Sequence, residues 1–187
     1  MLGDVIRTER LVLRPIGVED LSVVQTAAGR REVADTMISI AHPFSAQDAE
    51  RYVGSRVEAM QLGYGVAFTF RTHVPAVFVG FAELRDIEPE HALAELSFWL
   101  AVETRGRGYM AEALAAVLRY AFRDLDLNRV YAYHMVRNPT SGRVLSRLGF
   151  QVEGLLRQRV RKWGLYEDVV LQALLRSEWS DTVGPPG

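Results

Sequence analysis

Glu95-Leu96-Ser97-Phe98-Trp99-Leu100-Ala101-Val102-Glu103-Thr104-Arg105-Gly106-Arg107-Gly108-Tyr109-Met110-Ala111-Glu112-Ala113-Leu114 is the stretch on which the fold turns. Its first part sets Leu96, Phe98 and Leu100 at alternate positions, the period of a strand. Its last part begins a run of Ala111, Leu114, Ala115, Leu118 and Phe122, the period of a long amphipathic helix that ends near Asn128. Two glycines separated by one residue join them, so strand passes to helix through a tight turn in which backbone, not side chain, faces outward.

Upstream, residues 10–14 alternate polar and apolar and stop at Pro15, which predicts a first strand. Glu19 and Asp20 open a short helix toward Ala28. Ser45 and Asp48 form a capping box for a second helix carrying Ala49, Tyr52, Val53, Val57 and Met60, with Gly63 as its stop. Val66, Phe68 and Phe70, then Val77, Val79 and Phe81, lead into the opening stretch with only short breaks, which predicts an antiparallel meander. Downstream, residues 129–136 read as a strand, and Asn138 and Pro139 cap a helix that Gly149 ends. Residues 151–161 and 166–176 form a closing pair of strands. The order β-α-α-β-β-β-α-β-α-β-β predicts a mixed α+β fold in one domain, residues 1–180, with residues 181–187 as a disordered tail.

Composition narrows the chemistry. The 187 residues contain no cysteine, which excludes a thiol nucleophile, a thiolate zinc site and an iron–sulfur cluster. Of the 22 basic residues only Lys162 is a lysine, so a Schiff base would have to form there. A net charge of -1 lacks the field of a nucleic-acid or membrane coat, and no apolar run approaches a membrane span. A cytoplasmic protein with a small or peptidic substrate, and without nucleic-acid, membrane or metal partners, is the expectation.

The turn at Arg105, Gly106, Arg107 and Gly108 is suited to an anion, because amides converge at a helix start and glycine lets a phosphate come close. Gly106 to Ala111 also satisfies the letter of a dinucleotide fingerprint. The context does not: strands of a meander precede it, and no acidic residue closes the following strand.

The ordered set of motifs resembles the GNAT acetyltransferase superfamily, in particular its ribosomal-protein N-acetyltransferase-like (Rim-type) branch. The resemblance runs from Arg7-Thr8-Glu9-Arg10-Leu11-Val12-Leu13-Arg14-Pro15 through residues 95–100 and 106–114, Asn138-Pro139-Thr140-Ser141, Leu148-Gly149-Phe150 and Glu153-Gly154 to Tyr166-Glu167-Asp168-Val169 and residues 174–179. It implies a mostly antiparallel twisted sheet of about seven strands, splayed at a coenzyme site and flanked by helices. It implies acetyl-CoA as donor, its pyrophosphate on the amides of Arg105, Gly106, Arg107, Gly108, Tyr109 and Met110. The pantetheine arm would lie against the strand containing Leu100 and Val102, and Asn138 and Ser141 would contact the coenzyme. Glu103 departs from the Gln or Arg usual in the motif, which implies weaker donor contact.

Acetyl transfer by direct attack of an amine needs a base, a stabilised carbonyl oxygen and an accommodated thiolate, and no enzyme thiol. Glu95, at the branch's acidic position, is the first choice of base, acting through water; His134 is the second. The tyrosine that many GNAT members place seven residues after the Asn is Leu145 here, which leaves Ser141 to hydrogen-bond the departing sulfur. On the acceptor side, Trp163, Tyr166 and Asp168 resemble the branch's loop, and Glu83, Asp86, Glu88 and Glu90 cluster in sequence. The acceptor is an amine, either a protein N-terminus or a small amine such as a polyamine or aminoglycoside. A non-catalytic acyl-CoA-binding module and a longer acyl donor such as succinyl-CoA are the competing readings, and a homodimer has no motif for or against it.

Overall fold

The computed structural model describes residues 4–181, so the expectation for residues 182–187 lies outside the described residues. Its elements follow the chain as β1 (Ile6–Arg7), β2 (Leu11–Pro15), a 3-10 turn (Val18–Asp20), α1 (Leu21–Ala28), α2 (Arg31–Ala34), α3 (Ala46–Leu62), β3 (Gly65–Thr72), β4 (Phe78–Glu88) and β5 (Leu93–Leu100). A second 3-10 turn (Val102–Thr104), α4 (Tyr109–Arg119), a π-type turn (Tyr120–Asp124), β6 (Arg129–Met135), α5 (Pro139–Arg147), β7 (Gln151–Lys162) and β8 (Leu165–Leu175) complete it. The caps act as the sequence predicts. Ser45 Oγ accepts from the Asp48 amide at 3.1 Å while Asp48 Oδ2 accepts from the Ser45 amide at 2.9 Å, and Gly63 closes α3 in the left-handed region at φ 86°.

The strands form one eight-stranded sheet in the order β1-β2-β3-β4-β5-β6-β8-β7. Every pairing is antiparallel except that of β5 with β6, which is parallel and holds for three residue pairs, Leu93 with Arg129, Ala94 with Val130 and Glu95 with Tyr131. Beyond Glu95, β5 continues along β4 as far as Leu100, while β6 continues along β8 as far as Met135. The two halves therefore twist apart from a common origin. That origin is pinned by Ala92, whose carbonyl accepts the amides of Asn128 at 2.7 Å and Arg129 at 3.1 Å.

The core occupies both faces. Leu11, Leu13, Phe68, Phe70, Leu84 and Leu96 are buried with Leu114, Val117 and Leu118 of α4. Phe81 and Trp99 stack across β4 and β5 at 5.9 Å, and the Trp99 indole donates to the Tyr52 hydroxyl of α3 at 3.2 Å. One polar clamp ties β1 and β2 to the glycine-rich turn before α4. Glu112, buried in the first turn of α4, accepts from Thr8 Oγ1 at 2.5 Å, from the Arg10 amide at 2.8 Å and from Arg10 Nε at 2.6 Å. Arg10 also donates to the Arg107 carbonyl at 3.0 Å and lies over the Tyr109 ring. The Arg7-to-Pro15 motif thus holds α4 at the angle at which its N-terminus faces out.

Four expectations are refined. The sheet has an eighth strand because Ile6 and Arg7 pair with Leu13 and Val12, a bridge too short to show a period. The α2 turn was missed for the same reason. The long helix ends at Arg119, and a π-type turn carries the chain toward Asn128. At the far end Asp181, expected in the tail, pairs with Arg119 at 2.7 Å and with Arg123.

Burial raises the proton affinity of the Glu112 carboxyl, but the hydrogen bonds from Thr8 and Arg10 outweigh it and hold its pKa below the usual carboxylate range. A carboxylate lowered on folding contributes stability above its unfolded pKa of about 4.3 and loses it as pH falls through the folded value. Glu112→Gln is expected to lower stability by about 2 kcal/mol at pH 7. In urea titrations its gap from the wild type should hold down to about pH 4.3 and narrow below it; a gap constant through that range would refute the charged clamp.

Candidate active site

The turn after β5 presents its backbone outward. Gly106 and Gly108 have φ of 77° and 75°, a region that side-chain-bearing residues seldom adopt. A Cβ at Gly106 would meet nothing within 4 Å, so the conformation, not crowding, requires glycine, and the space above it is open. Gly108 is the N-cap of α4, and the first amides of that helix, beginning at Tyr109 and Met110, point along its axis with no acceptor inside the helix. Arg105 and Arg107 are exposed beside them. The Arg105 guanidinium donates to the Glu32 carbonyl at 3.1 Å. Glu103 is held 3.5 Å from Arg30, which offsets its charge near the turn.

Where β5 and β6 part, a cavity opens, lined by Glu95, Leu96, Ser97 and Phe98 from β5, Tyr133, His134 and Met135 from β6, and Asn138 and Ser141 from α5. Alternation along a strand sends neighbours to opposite faces. Glu95 and Ser97 belong to the face that α3 covers, whereas His134 turns toward α5, where its ring lies against Gly142. The cavity is thus a slot through the split sheet, and side chains of both faces line it.

Glu95, His134, Asn138 and Ser141 are each oriented by a hydrogen bond. Glu95 is 9 % exposed and accepts from Arg85 Nη2 at 2.5 Å. Burial pushes its carboxyl above the usual range against the pull of Arg85, which is the shift a base working near neutrality needs. On the adjoining strand, burial and then the charge of Glu95 push the Tyr131 phenol up to about 12. His134 Nδ1 is 3.0 Å from the Met135 carbonyl. A carbonyl only accepts, so Nδ1 carries the proton, and in the neutral ring Nε2 bears the lone pair. The Ser141 amide donates to Asn138 Oδ1 at 3.4 Å, which sets the Asn138 amide so that Nδ2 donates to Ser141 Oγ at 2.9 Å. The serine hydroxyl is then an acceptor toward Asn138, and its own proton is free to donate elsewhere.

Glu95, His134, Asn138 and Ser141 line this one cavity, although residues 95 and 141 are far apart in sequence. Leu100 ends β5, and Val102 lies in the 3-10 turn instead of in the strand expected for it. Leu145 is fully buried, so this position belongs to the core. The Glu83 carboxylate is committed to Arg56 at 3.0 and 3.1 Å, which removes it from the sequence cluster of free acids. Sequence reasoning missed Arg85, Ser97 and Tyr133, and also residues 36–39, which line the same cavity. Alternation from Glu95 to Ser97 would have found one of these; no local pattern marks residues 36–39. Among the described residues no group of side chains could hold a metal ion, and no helix is long and apolar enough to cross a membrane.

Residues 10–151 match the family model described as an acetyltransferase (GNAT) domain. An uncharacterized N-acetyltransferase, p20, of Bacillus licheniformis is 30 % identical over 174 residues, which span 92 % of this chain and 97 % of that protein. The ribosomal-protein-serine acetyltransferase of Escherichia coli is 32 % identical over 129 residues, 69 % of this chain and 71 % of the other. Matches to some other curated relatives span about half of their length. Among solved structures, a spermidine N-acetyltransferase from Vibrio cholerae in complex with CoA and spermine superposes with a TM-score of 0.81 at 24 % identity, covering 91 % of this chain and 98 % of that one.

A Cβ added at Gly142 would lie 2.7 Å from His134 Nε2 and 2.8 Å from Cε1. Gly142→Ala is therefore expected to displace the imidazole from the slot and to lower stability by about 1–3 kcal/mol. Nitrogen-15 shifts of the His134 ring would register the displacement; unchanged shifts would show that the ring is not packed on α5.

Proposed function

Because the chain belongs to the GNAT acetyltransferase family and is an N-acetyltransferase, we propose that it moves the acetyl group of acetyl-CoA to a terminal α-amine of a peptide or protein by direct attack in a ternary complex. The observation that carries this reading is the slot through the sheet, with Glu95 from one face and Ser141 from the other, beside an amide-lined turn. The open turn fits a pyrophosphate: its glycines keep side chains away, and the Gly106-to-Met110 amides with Arg105 and Arg107 supply donors and charge. A pantetheine arm fits beside Leu100 where β5 leaves β6, with Asn138 and Ser141 at its inner end.

Glu95, through a water, takes the proton that the attacking amine gives up. Ser141, held by Asn138, donates its hydroxyl proton as a hydrogen bond to the departing thiolate; an ordinary thiol ionises near pH ~8.5, so full protonation is unnecessary at that moment. His134 is the second base on the opposite face. Amine nitrogen to acetyl carbon is the bond made, carbon to sulfur the bond broken, and no covalent enzyme intermediate is needed.

Carboxylates around the slot support a singly charged acceptor. Glu83 and Glu95 pair with Arg56 and Arg85, and Asp35 and Glu167 share Arg137, so most of this negative charge is already partnered. A polyamine needs an uncompensated carboxylate for its second ammonium, whereas an α-amine needs one base and polar groups such as Ser39 and Ser97. An α-amine, with pKa near ~8, is also the easier amine to deprotonate.

The test is a panel of peptides with free N-termini alongside spermidine and an aminoglycoside, read by thiol release and by mass. Acetyl-CoA-dependent transfer to peptides is expected; coenzyme binding without transfer to any amine would favour the non-catalytic reading. Glu95→Gln should lower kcat/KM about a hundredfold and remove the acidic limb of the pH profile, which lies above the usual carboxylate range because the Glu95 pKa is raised. Ser141→Ala should lower kcat by roughly tenfold with little change in acceptor KM. If both variants were silent, the assignment of these roles would fall.

A further inference from the structure

The chain uses arginine for every basic side chain but one, and the exception is the cation it buries. Lys162, the last residue of β7, is 6 % exposed. Its Nζ donates to the carbonyls of Met37 at 2.6 Å and Ile40 at 2.7 Å, 125 and 122 residues away in sequence. These carbonyls bracket residues 38 and 39, and residues 36–39 line the slot together with Glu95 and Ser97. A compact ammonium with three donors fits two converging carbonyls, where a planar guanidinium would be too large.

The hairpin tip is built to deliver it. Trp163 and Gly164 both have positive φ, 53° and 83°, the two-residue turn that a tight hairpin requires, and a tryptophan is an unusual occupant of that region. Its ring lies 4.4 Å from Lys162 Nζ, and its indole donates to Asp35 Oδ1 at 2.6 Å. Arg137 holds the same end of the segment, donating to Asp35 Oδ2 at 2.7 Å and to the Asp35 carbonyl at 2.8 Å. Between these anchors, Ile38 and Ser39 are exposed to the slot mouth. Burying an ammonium on carbonyls alone is unfavourable unless its hydrogen bonds are made, and these two are made only when the segment stands in place.

We propose that Lys162 is a positioning residue for acceptor recognition: it fixes residues 37–40 as the acceptor wall of the slot without touching the reacting atoms. The inference rests on the acetyl-transfer reading for its functional consequence and on geometry alone for the clamp. Its effect falls on the acceptor side, because Lys162 bonds to Met37 and Ile40 and has no atom near Gly106 or Gly108 of the donor turn.

Lys162→Met keeps the stem and removes the ammonium. Carbon-13 methyl relaxation should show lower order parameters at Met37, Ile38 and Ile40 than in the wild type. The KM for a peptide acceptor should rise about tenfold, the effect of one or two unfixed loop residues, with kcat within about twofold and the CoA dissociation constant unchanged. Lys162→Arg should not restore the acceptor KM. Val66→Ala, a core change in β3 with four strands of the sheet between it and β7, serves as the control for lost stability and should leave all three quantities in place. Unchanged methyl order parameters in Lys162→Met would overturn the clamp. Acceptor KM and CoA affinity worsening together, as global loosening would cause, would overturn the positioning role. A wild type that acetylates no amine would sink the transfer reading, while the methyl relaxation would still decide whether Lys162 holds the wall.

Discussion

Everything about the site follows from a parallel pairing that lasts three residues. β5 and β6 begin together, anchored by the Ala92 carbonyl, and separate after Glu95 and Tyr131 because each is committed to a different neighbour, β5 to β4 and β6 to β8. Twist accumulates along both ladders, so the strands diverge instead of re-pairing. In an unbroken sheet Glu95 and His134 would stand on opposite faces with a layer of backbone between them. The split removes that layer. It also leaves the β5 backbone beyond Glu95 without a partner strand on the β6 side.

The charges are arranged to hold this opening in register. Glu112 collects Thr8 and Arg10, so β1 and β2 orient the first turn of α4. Arg85 meets Glu95 across β4 and β5, Arg56 covers Glu83, and Arg137 joins Asp35 to Glu167. All but Arg85 with Glu95 join residues more than twenty-five positions apart, and each ties one element of the fold to another. Such pairs are weak sources of net stability when compared with apolar packing, but removing one partner strands the other charge. Their value here is registry: they specify where the glycine-rich turn, Glu95 and residues 36–39 stand relative to one another.

Legibility in the sequence tracked the range of the interaction. The capping box at Ser45 and Asp48, the Asn138 and Pro139 cap and the glycine-rich turn are local, set within a few residues, and each appears where the sequence predicts it. The strand β1 and helix α2 escaped because two and four residues carry no period. Val102 fell outside its expected strand because β5 gives way to a 3-10 turn at the end of its pairing with β4, a matter of partner length and not of local propensity. Residues 36–39 were invisible as a site, since nothing about Thr36, Met37, Ile38 or Ser39 marks them until Lys162 reaches across.

The sequence by itself determined the element order, the caps, the outward backbone at Gly106 and Gly108, the absence of a thiol route and the family resemblance that these motifs carry. These depend on side-chain type and on spacing along a few turns of chain. Only the tertiary structure decided that Glu95 and Ser141 share one cavity, that Leu145 is core, that the rim carboxylates are already paired, and that the one lysine is a buried tie to the acceptor wall. Those outcomes require residues separated by tens to more than a hundred positions to meet, and distance along the chain carries no information about such meetings until packing has fixed the sheet and its split.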